Sequence, residues 1–328
     1  MRILVTGGAG FIGGHLAEAF ARDGHAVTVL DCLDPYYSVG IKRHTIERAT
    51  QAAAESDGSY EFVEGSVTDA ELVAELVSAA DVVYHQAAQA GVRTSVENPR
   101  KPNRINVEGT LTLLEAARDA DIDRVVNASS SSVYGKPEYL PYDEAHPTTP
   151  VSPYGVSKLA AEYYTRVFNE IYGLPTVSLR YFTVYGPRMR PNMAISNFVS
   201  RCRNGEPPVV YGTGEQTRDF TYIDDVVEAN RTLLTTDSAD GEVLNVGSTD
   251  TIDIYTLAET IRDEIDPSLS ITYDDRQAGD AEHTHADVSK AETTIGYEPT
   301  RSIREGLREF IDWYDEHREW YEPLVRSS

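Results

Sequence analysis

Lysine is scarce in this chain. There are five among 328 residues, and even with arginine the 29 bases face 53 acids, for a formal charge of -24. Such a balance repels polyanions and argues against binding to nucleic acid or to an anionic membrane. Cysteine is as sparse: Cys32 and Cys202 lie far apart without ligand spacing, which excludes a disulfide framework and a structural zinc site and fits a reducing compartment. No stretch approaches the roughly 18 apolar residues of a membrane span. Met1 to Leu4, followed at once by Gly7, Gly8 and Gly10, lacks the apolar run of a signal peptide. A soluble cytoplasmic protein is expected. The surplus of carboxylates also suits molar salt, where acids hold water and screening removes their repulsion, so a halophilic host is expected.

What the chain does have is enough apolar residues, 41%, to bury a large core, and a length that suits about two domains. Arg2 to Thr6 reads as a strand that ends in glycines, and Phe11 to Asp23 places Ile12, Leu16, Ala19 and Phe20 at helical spacing. Further strands are expected at Ala26 to Leu30, Tyr60 to Glu64, Asp81 to His85, Arg124 to Ala128 and Thr176 to Arg180, with helices between most of them. That alternation implies an α/β fold, a Rossmann-type doubly wound parallel sheet. Thr68 and Glu71 have capping-box spacing, and Ser152-Pro153 supplies an N-cap and a first-turn proline. Beyond about Gly186 the turns become rich in Gly and Pro, which predicts a smaller C-terminal α/β substrate lobe. The expected division is residues 1–185 and 186–328, with some elements returning to the first unit. A final helix is expected around Ile303 to Tyr321, its Leu307, Phe310, Ile311 and Tyr314 serving as core.

Three motifs carry chemistry. The turn Gly7-Gly8-Ala9-Gly10-Phe11-Ile12-Gly13 lies between first strand and first helix, where bare backbone can approach a pyrophosphate and the helix N-terminus offers amide donors. Asp31 follows at the end of the second strand. An acid there accepts hydrogen bonds from a ribose diol and repels a 2′-phosphate, so the expected cofactor is NAD. Tyr154-Gly155-Val156-Ser157-Lys158 puts a phenol and an ammonium on one helix face. A free tyrosine near pKa 10 is a poor base, but a lysine and a positively charged nicotinamide beside it would stabilise the phenolate and make Tyr154 a proton shuttle. Ser129 to Ser132 follow the Arg124 to Ala128 strand, so one of these hydroxyls should hold the reacting oxygen at the carboxyl edge of the sheet.

With Arg180-Tyr181-Phe182 and Arg218-Asp219-Phe220-Thr221-Tyr222-Ile223 before Asp224-Asp225-Val226, these motifs resemble, over nearly the whole chain, the extended short-chain dehydrogenase/reductase family. The branch they resemble is that of the NAD-dependent nucleotide-sugar epimerases and dehydratases. The resemblance implies that Ala87, Ala88, Asn106, Tyr154, Lys158 and Phe182 line the NAD site, with Ser66-Val67 where relatives carry an acid against adenine. It implies that Tyr154 is the base, Lys158 its partner and Ser130 the residue orienting the C4 oxygen, and that dimers form. Arg218 would bind the nucleotide diphosphate, with Tyr211 and Arg276 also on the substrate.

Dehydrating relatives have Asp-Glu directly after the position of Ser130, and decarboxylating ones a Glu nearby; here Ser131 and Ser132 follow. A hydroxyl is no carboxylic general acid at neutral pH, so 4-epimerisation of a UDP-sugar through a 4-keto intermediate is the expected activity. Asp34-Pro35-Tyr36-Tyr37 with Lys42-Arg43, the run His85 to Arg93, and Phe182-Thr183-Val184-Tyr185-Gly186-Pro187 with Arg190-Pro191-Asn192-Met193-Ala194 look like the UDP-glucuronate 4-epimerase branch. Thr183 and Arg190 would then approach the sugar carboxylate. Near Gly279-Asp280, Thr284 replaces a bulky tyrosine of some UDP-glucose enzymes, and Gln277 replaces an arginine. UDP-glucose is the other candidate substrate. A nucleotide-sugar 4,6-dehydratase, a UDP-glucuronate decarboxylase and a noncatalytic NAD-binding regulator are the alternatives. No metal is called for.

Overall fold

The computed structural model describes residues 1–248, 250–276 and 281–327. Its main layer is a seven-stranded parallel sheet in the order Val243–Val246, β6 (Thr176–Tyr181), β5 (Arg124–Ser130), β4 (Val82–His85), β1 (Arg2–Thr6), β2 (Ala26–Asp31), β3 (Ser59–Glu64). Strands covered by helices on both faces read as continuous apolar runs, and β4 and β6 are buried at every position. All six strands expected from the sequence are present. The seventh, Val243–Val246, comes from the second half of the chain and pairs with β6 from Val243 opposite Ser178 to Val246 opposite Tyr181.

The chain reverses direction across the sheet between β1 and β4, and in such sheets the crevice at the carboxyl ends there receives the ligand. α1 (Phe11–Arg22) and α2 (Val39–Ala54) flank one side of that crevice. The helix Pro153–Tyr172, which carries the Tyr154 and Lys158 pair, flanks the other. It starts as the sequence requires: the Ser152 hydroxyl accepts from the Gly155 N–H at 3.1 Å, and Pro153 occupies the first turn.

Outside the main sheet the strands form short pairs. Val209–Tyr211 lies parallel to Thr272–Asp274, Thr183–Tyr185 parallel to Phe220–Tyr222, and Thr217–Arg218 antiparallel to Ile252–Asp253. Two expectations are corrected. The cap of α3 (Ala70–Ser78) is Asp69, whose carboxylate accepts from the Leu72 N–H at 3.2 Å; Thr68 instead bonds the Ser66 hydroxyl at 2.9 Å, because the helix starts one residue later than capping by Thr68 needs. The C-terminal helix is two helices, Ile303–Glu316 and Arg318–Arg326, broken at His317, whose φ of -110° and ψ of 8° leave the helical range.

Candidate active site

Two cavities of about 380 and 870 Å³ adjoin at the carboxyl edge of the sheet. Tyr36, Ser131, Ser132, Thr183, Arg190 and Met193 line both. The smaller contains the glycine turn. Gly7 has φ 71° and donates its N–H to Leu30 O at 2.7 Å; a Cβ there would lie 2.7 Å from the Ala87 backbone. A Cβ on Gly13 would lie 2.4 Å from Gly7 O, so only glycine lets the turn fold flat against the helix. Gly10, the N-cap of α1, offers no side chain to the first-turn amides, which are left for an anion.

Asp31, buried at the end of β2, receives the N–H of Ala9 at 3.2 Å and of Leu33 at 2.8 Å, with Lys42 Nζ 3.6 Å away. Phe11, Ile12, Ser66, Val67, Ala87, Ala88 and Phe182 complete the lining. These residues fit a dinucleotide: bare backbone for the pyrophosphate and an acid for a ribose diol. Asn106 differs. It lies behind the wall, because its carboxamide is used up by the Gln89 N–H at 2.7 Å, Gln89 O at 3.2 Å and the Ser157 hydroxyl at 2.8 Å.

On the helix Pro153–Tyr172, Tyr154 and Lys158 both open into this cavity, as does Ser130 at the end of β5. Burial raises the Tyr154 phenol above its ordinary pKa; a hydrogen bond with Ser130 and the charge of Arg190 oppose that rise. Lys158 has Nζ on Ala128 O at 2.7 Å, and burial brings it down to about 8. The four serines separate. All four line the cavity, but the Ser129 hydroxyl is engaged elsewhere, donating to Glu162 Oε2 at 2.7 Å.

Glu162 went unnoticed in the sequence reading, although it lies one turn beyond Lys158 at the same four-residue spacing. It is buried against Arg180 of β6, which donates to both oxygens, at 2.6 and 3.0 Å. That fork ties the helix Pro153–Tyr172 to β5 and β6, and so fixes which serine hydroxyls are left for the site.

The larger cavity is lined by Tyr211, Arg218 and Thr284. The Arg93 guanidinium lies 4.5 Å over the Tyr211 ring. Arg218 donates to Thr217 O at 2.8 Å and Glu282 O at 3.2 Å. Next to it, buried Asp219 accepts from the Ser248 and Ala286 N–H groups, and burial pushes its carboxyl up to about 7. Its own N–H bonds the Thr284 hydroxyl at 3.1 Å, so Asp219 ties its own stretch of chain both to Ser248 and to the segment that brings Thr284 to the cavity wall. Arg276 is placed outside both linings: it is exposed and pairs with Glu282 at 3.1 Å. Gln277, Gly279 and Asp280 lie outside the described residues. No group of His, Cys, Asp and Glu among the described residues could hold a metal.

A family model described as GDP-mannose 4,6 dehydratase matches residues 4–310. A putative UDP-glucose 4-epimerase of Methanocaldococcus jannaschii is 38% identical over 316 residues, 95% of this chain and 97% of that protein. A probable UDP-glucuronate 4-epimerase of Rhizobium meliloti is 35% identical, covering 97% and 98%. The crystal structure of UDP-glucuronic acid 4-epimerase from Bacillus cereus, in complex with UDP-glucuronic acid and NAD, superposes with a TM-score of 0.90 at 34% identity, covering 96% of this chain and 99% of that one. A glycine turn shaped for a dinucleotide, a Tyr-Lys pair at the sheet edge and this agreement along nearly the full chain have one reading: the protein belongs to the extended short-chain dehydrogenase/reductase family of nucleotide-sugar enzymes.

Proposed function

We propose that this protein is an NAD-dependent UDP-sugar 4-epimerase, with UDP-glucuronate as its preferred substrate. The carrying observation is the convergence of Tyr154, Lys158 and Ser130 in the smaller cavity, next to its seam with the larger one, with no free carboxylate among the described residues of the two linings. Among the described residues the acids in the linings are Asp31, Asp34 and Glu206: Asp31 caps the end of β2, Asp34 pairs with Lys101 at 2.7 Å, and Glu206 pairs with Arg326 at 2.6 Å. Dehydration therefore lacks its proton donor. The similarity to epimerases of both UDP-glucose and UDP-glucuronate supports the same reading.

NAD, held by the glycine turn, Asp31 and Lys158, supplies the hydride acceptor at C4 and the donor for its return. Tyr154 takes the proton of the C4 hydroxyl and gives it back after the sugar has turned over. Ser130 orients the C4 oxygen, and Lys158 steadies the phenolate by its charge. Ser131, Ser132 and Thr183, common to both cavities, surround the space in which the sugar ring turns. Incubating the protein with UDP-glucuronate and UDP-glucose and resolving the products tests this. A 4-epimer of unchanged mass with no net NADH is expected; loss of water or carbon dioxide, or stoichiometric NADH, would overturn it.

The protein is further proposed to be cytoplasmic, halophilic and a homodimer. The outer face of the helix Pro153–Tyr172 supports association, exposing Val156, Tyr163, Tyr164, Ile171 and Tyr172. The charge of -24 supports the salt requirement, since the Debye length falls to about 3 Å at 1 M. The melting temperature should rise toward molar salt, and light scattering there should give twice the chain mass. A flat melting curve or a monomer mass would count against each in turn.

A further inference from the structure

Arg190 reaches the seam on a loop, and the residue two positions before it has no part in the chemistry just described. Arg188 turns the other way. Its φ is 62°, a left-handed conformation that residues with a Cβ rarely adopt. Its side chain is only 7% exposed, and Nη2 donates to Glu18 Oε2 at 2.6 Å. Glu18 lies on α1, equally buried, with its other oxygen taken by Arg22 at 2.6 Å and Arg48 at 3.0 Å. Arg188 Nη1, also buried, has no hydrogen-bond partner. A buried cation held in strained backbone and only partly satisfied is costly, so it persists only where the surroundings over-determine it.

What the surroundings determine is the course of the loop. Met189 is fully buried and its carbonyl accepts from the Tyr321 hydroxyl at 2.7 Å. The Arg190 carbonyl then accepts from the Met193 N–H at 3.2 Å. With Arg188 tied to α1 and Met189 to the C-terminal helix, Arg190 is left facing the cavities, its guanidinium 5.7 Å over the Tyr36 ring.

We propose that Arg188, through its ion pair with Glu18, is the positioning residue that presents Arg190 to the carboxylate of a hexuronate. The inference rests on the uronate reading above. An arginine on an untethered loop must give up backbone and rotamer freedom on meeting its ligand; a loop anchored in advance has already lost it, and the gain appears as affinity for the charged sugar.

Steady-state kinetics of the holoenzyme on UDP-glucuronate and UDP-glucose test this, using Arg188→Met, Arg190→Ala and the double variant. Arg188→Met leaves Glu18 paired with Arg22 and Arg48. It should raise KM for UDP-glucuronate by about tenfold, the loss of one charge-assisted contact, with kcat, the hexose reaction and bound NAD little changed. Arg188→Lys, which can still reach Glu18, should recover part of the loss. The double variant should be no worse than Arg190→Ala, since both changes remove one interaction. Should Arg188→Met fail to fold, Glu18→Gln is the substitute and the same selectivity is expected. Equal damage to both substrates, or additive losses in the double variant, would overturn the anchor. So would an effect of Arg190→Ala with none of Arg188→Met. Indifference of the uronate reaction to Arg190→Ala would instead overturn the uronate reading, and the anchor with it.

Discussion

Tyr154→Phe is expected to lower turnover by at least about a hundredfold, the low end of what a positioned acid-base contributes, while NAD stays bound. The phenol adds little to the dinucleotide cradle, which is made by the glycine turn and Asp31 on the far side of the cavity. It is also not a packing anchor, since Tyr154 is only partly buried. What the variant loses is the proton path. In the protein alone, burial raises the phenol's pKa against the opposing pull of Ser130 and Arg190, and the proposed reading leaves its lowering to the positive charge of a bound nicotinamide. In the proposed reading Lys158 assists by its charge. Burial holds it at about 8, so its ammonium is present at neutral pH and is lost as pH rises through that value. The wild-type rate should fall along that limb. Near-normal turnover in Tyr154→Phe, read by product chromatography, would move the base elsewhere.

Arg190→Ala should cut kcat/KM for UDP-glucuronate by roughly ten- to a hundredfold, because an arginine to carboxylate hydrogen bond is typically worth about 1.5 to 3 kcal/mol. UDP-glucose should be far less affected. A hexuronate differs from a hexose by the C6 carboxylate, and a pocket that takes it out of water must replace the lost hydration with a cation or several donors. Arg190 lines both cavities beside Thr183, Ser131 and Ser132, so one charged fork and three hydroxyls stand together at the seam. A role for Arg190 confined to loop packing would show as equal losses on both sugars. Wild-type enzyme that ignores UDP-glucuronate while turning over UDP-glucose would shift the assignment to the neutral sugar.

The readable parts of the site were those confined to one element or to two adjacent ones. Gly7 to Gly13 follow β1 directly, Asp31 ends the next strand, and Tyr154 and Lys158 are one turn apart, so spacing alone brings each set together. Glu162 was readable by the same rule and was passed over, because a glutamate four residues beyond a lysine reads as helix surface until Arg180 is seen to bury it. Ser129 shows the complement. In the sequence it is one of four equivalent hydroxyls, and only the contact with Glu162, 33 residues away, shows that its hydroxyl is already engaged.

By itself the sequence determined the parallel sheet, the dinucleotide turn, the acid that selects NAD and the Tyr-Lys pair, because apolar periodicity, glycine and i, i+4 spacing act within a few residues. The tertiary structure alone decided that Val243–Val246 returns to the main sheet, that Asn106 stands behind the cavity wall, and that Arg276 lies exposed, outside both linings. It alone brought Arg188 to Glu18, 170 residues apart in sequence. The reason is common to all four. Each depends on which surfaces are buried against which, and whether a charge is desolvated and what partners it then finds is settled only when segments distant in the chain pack together.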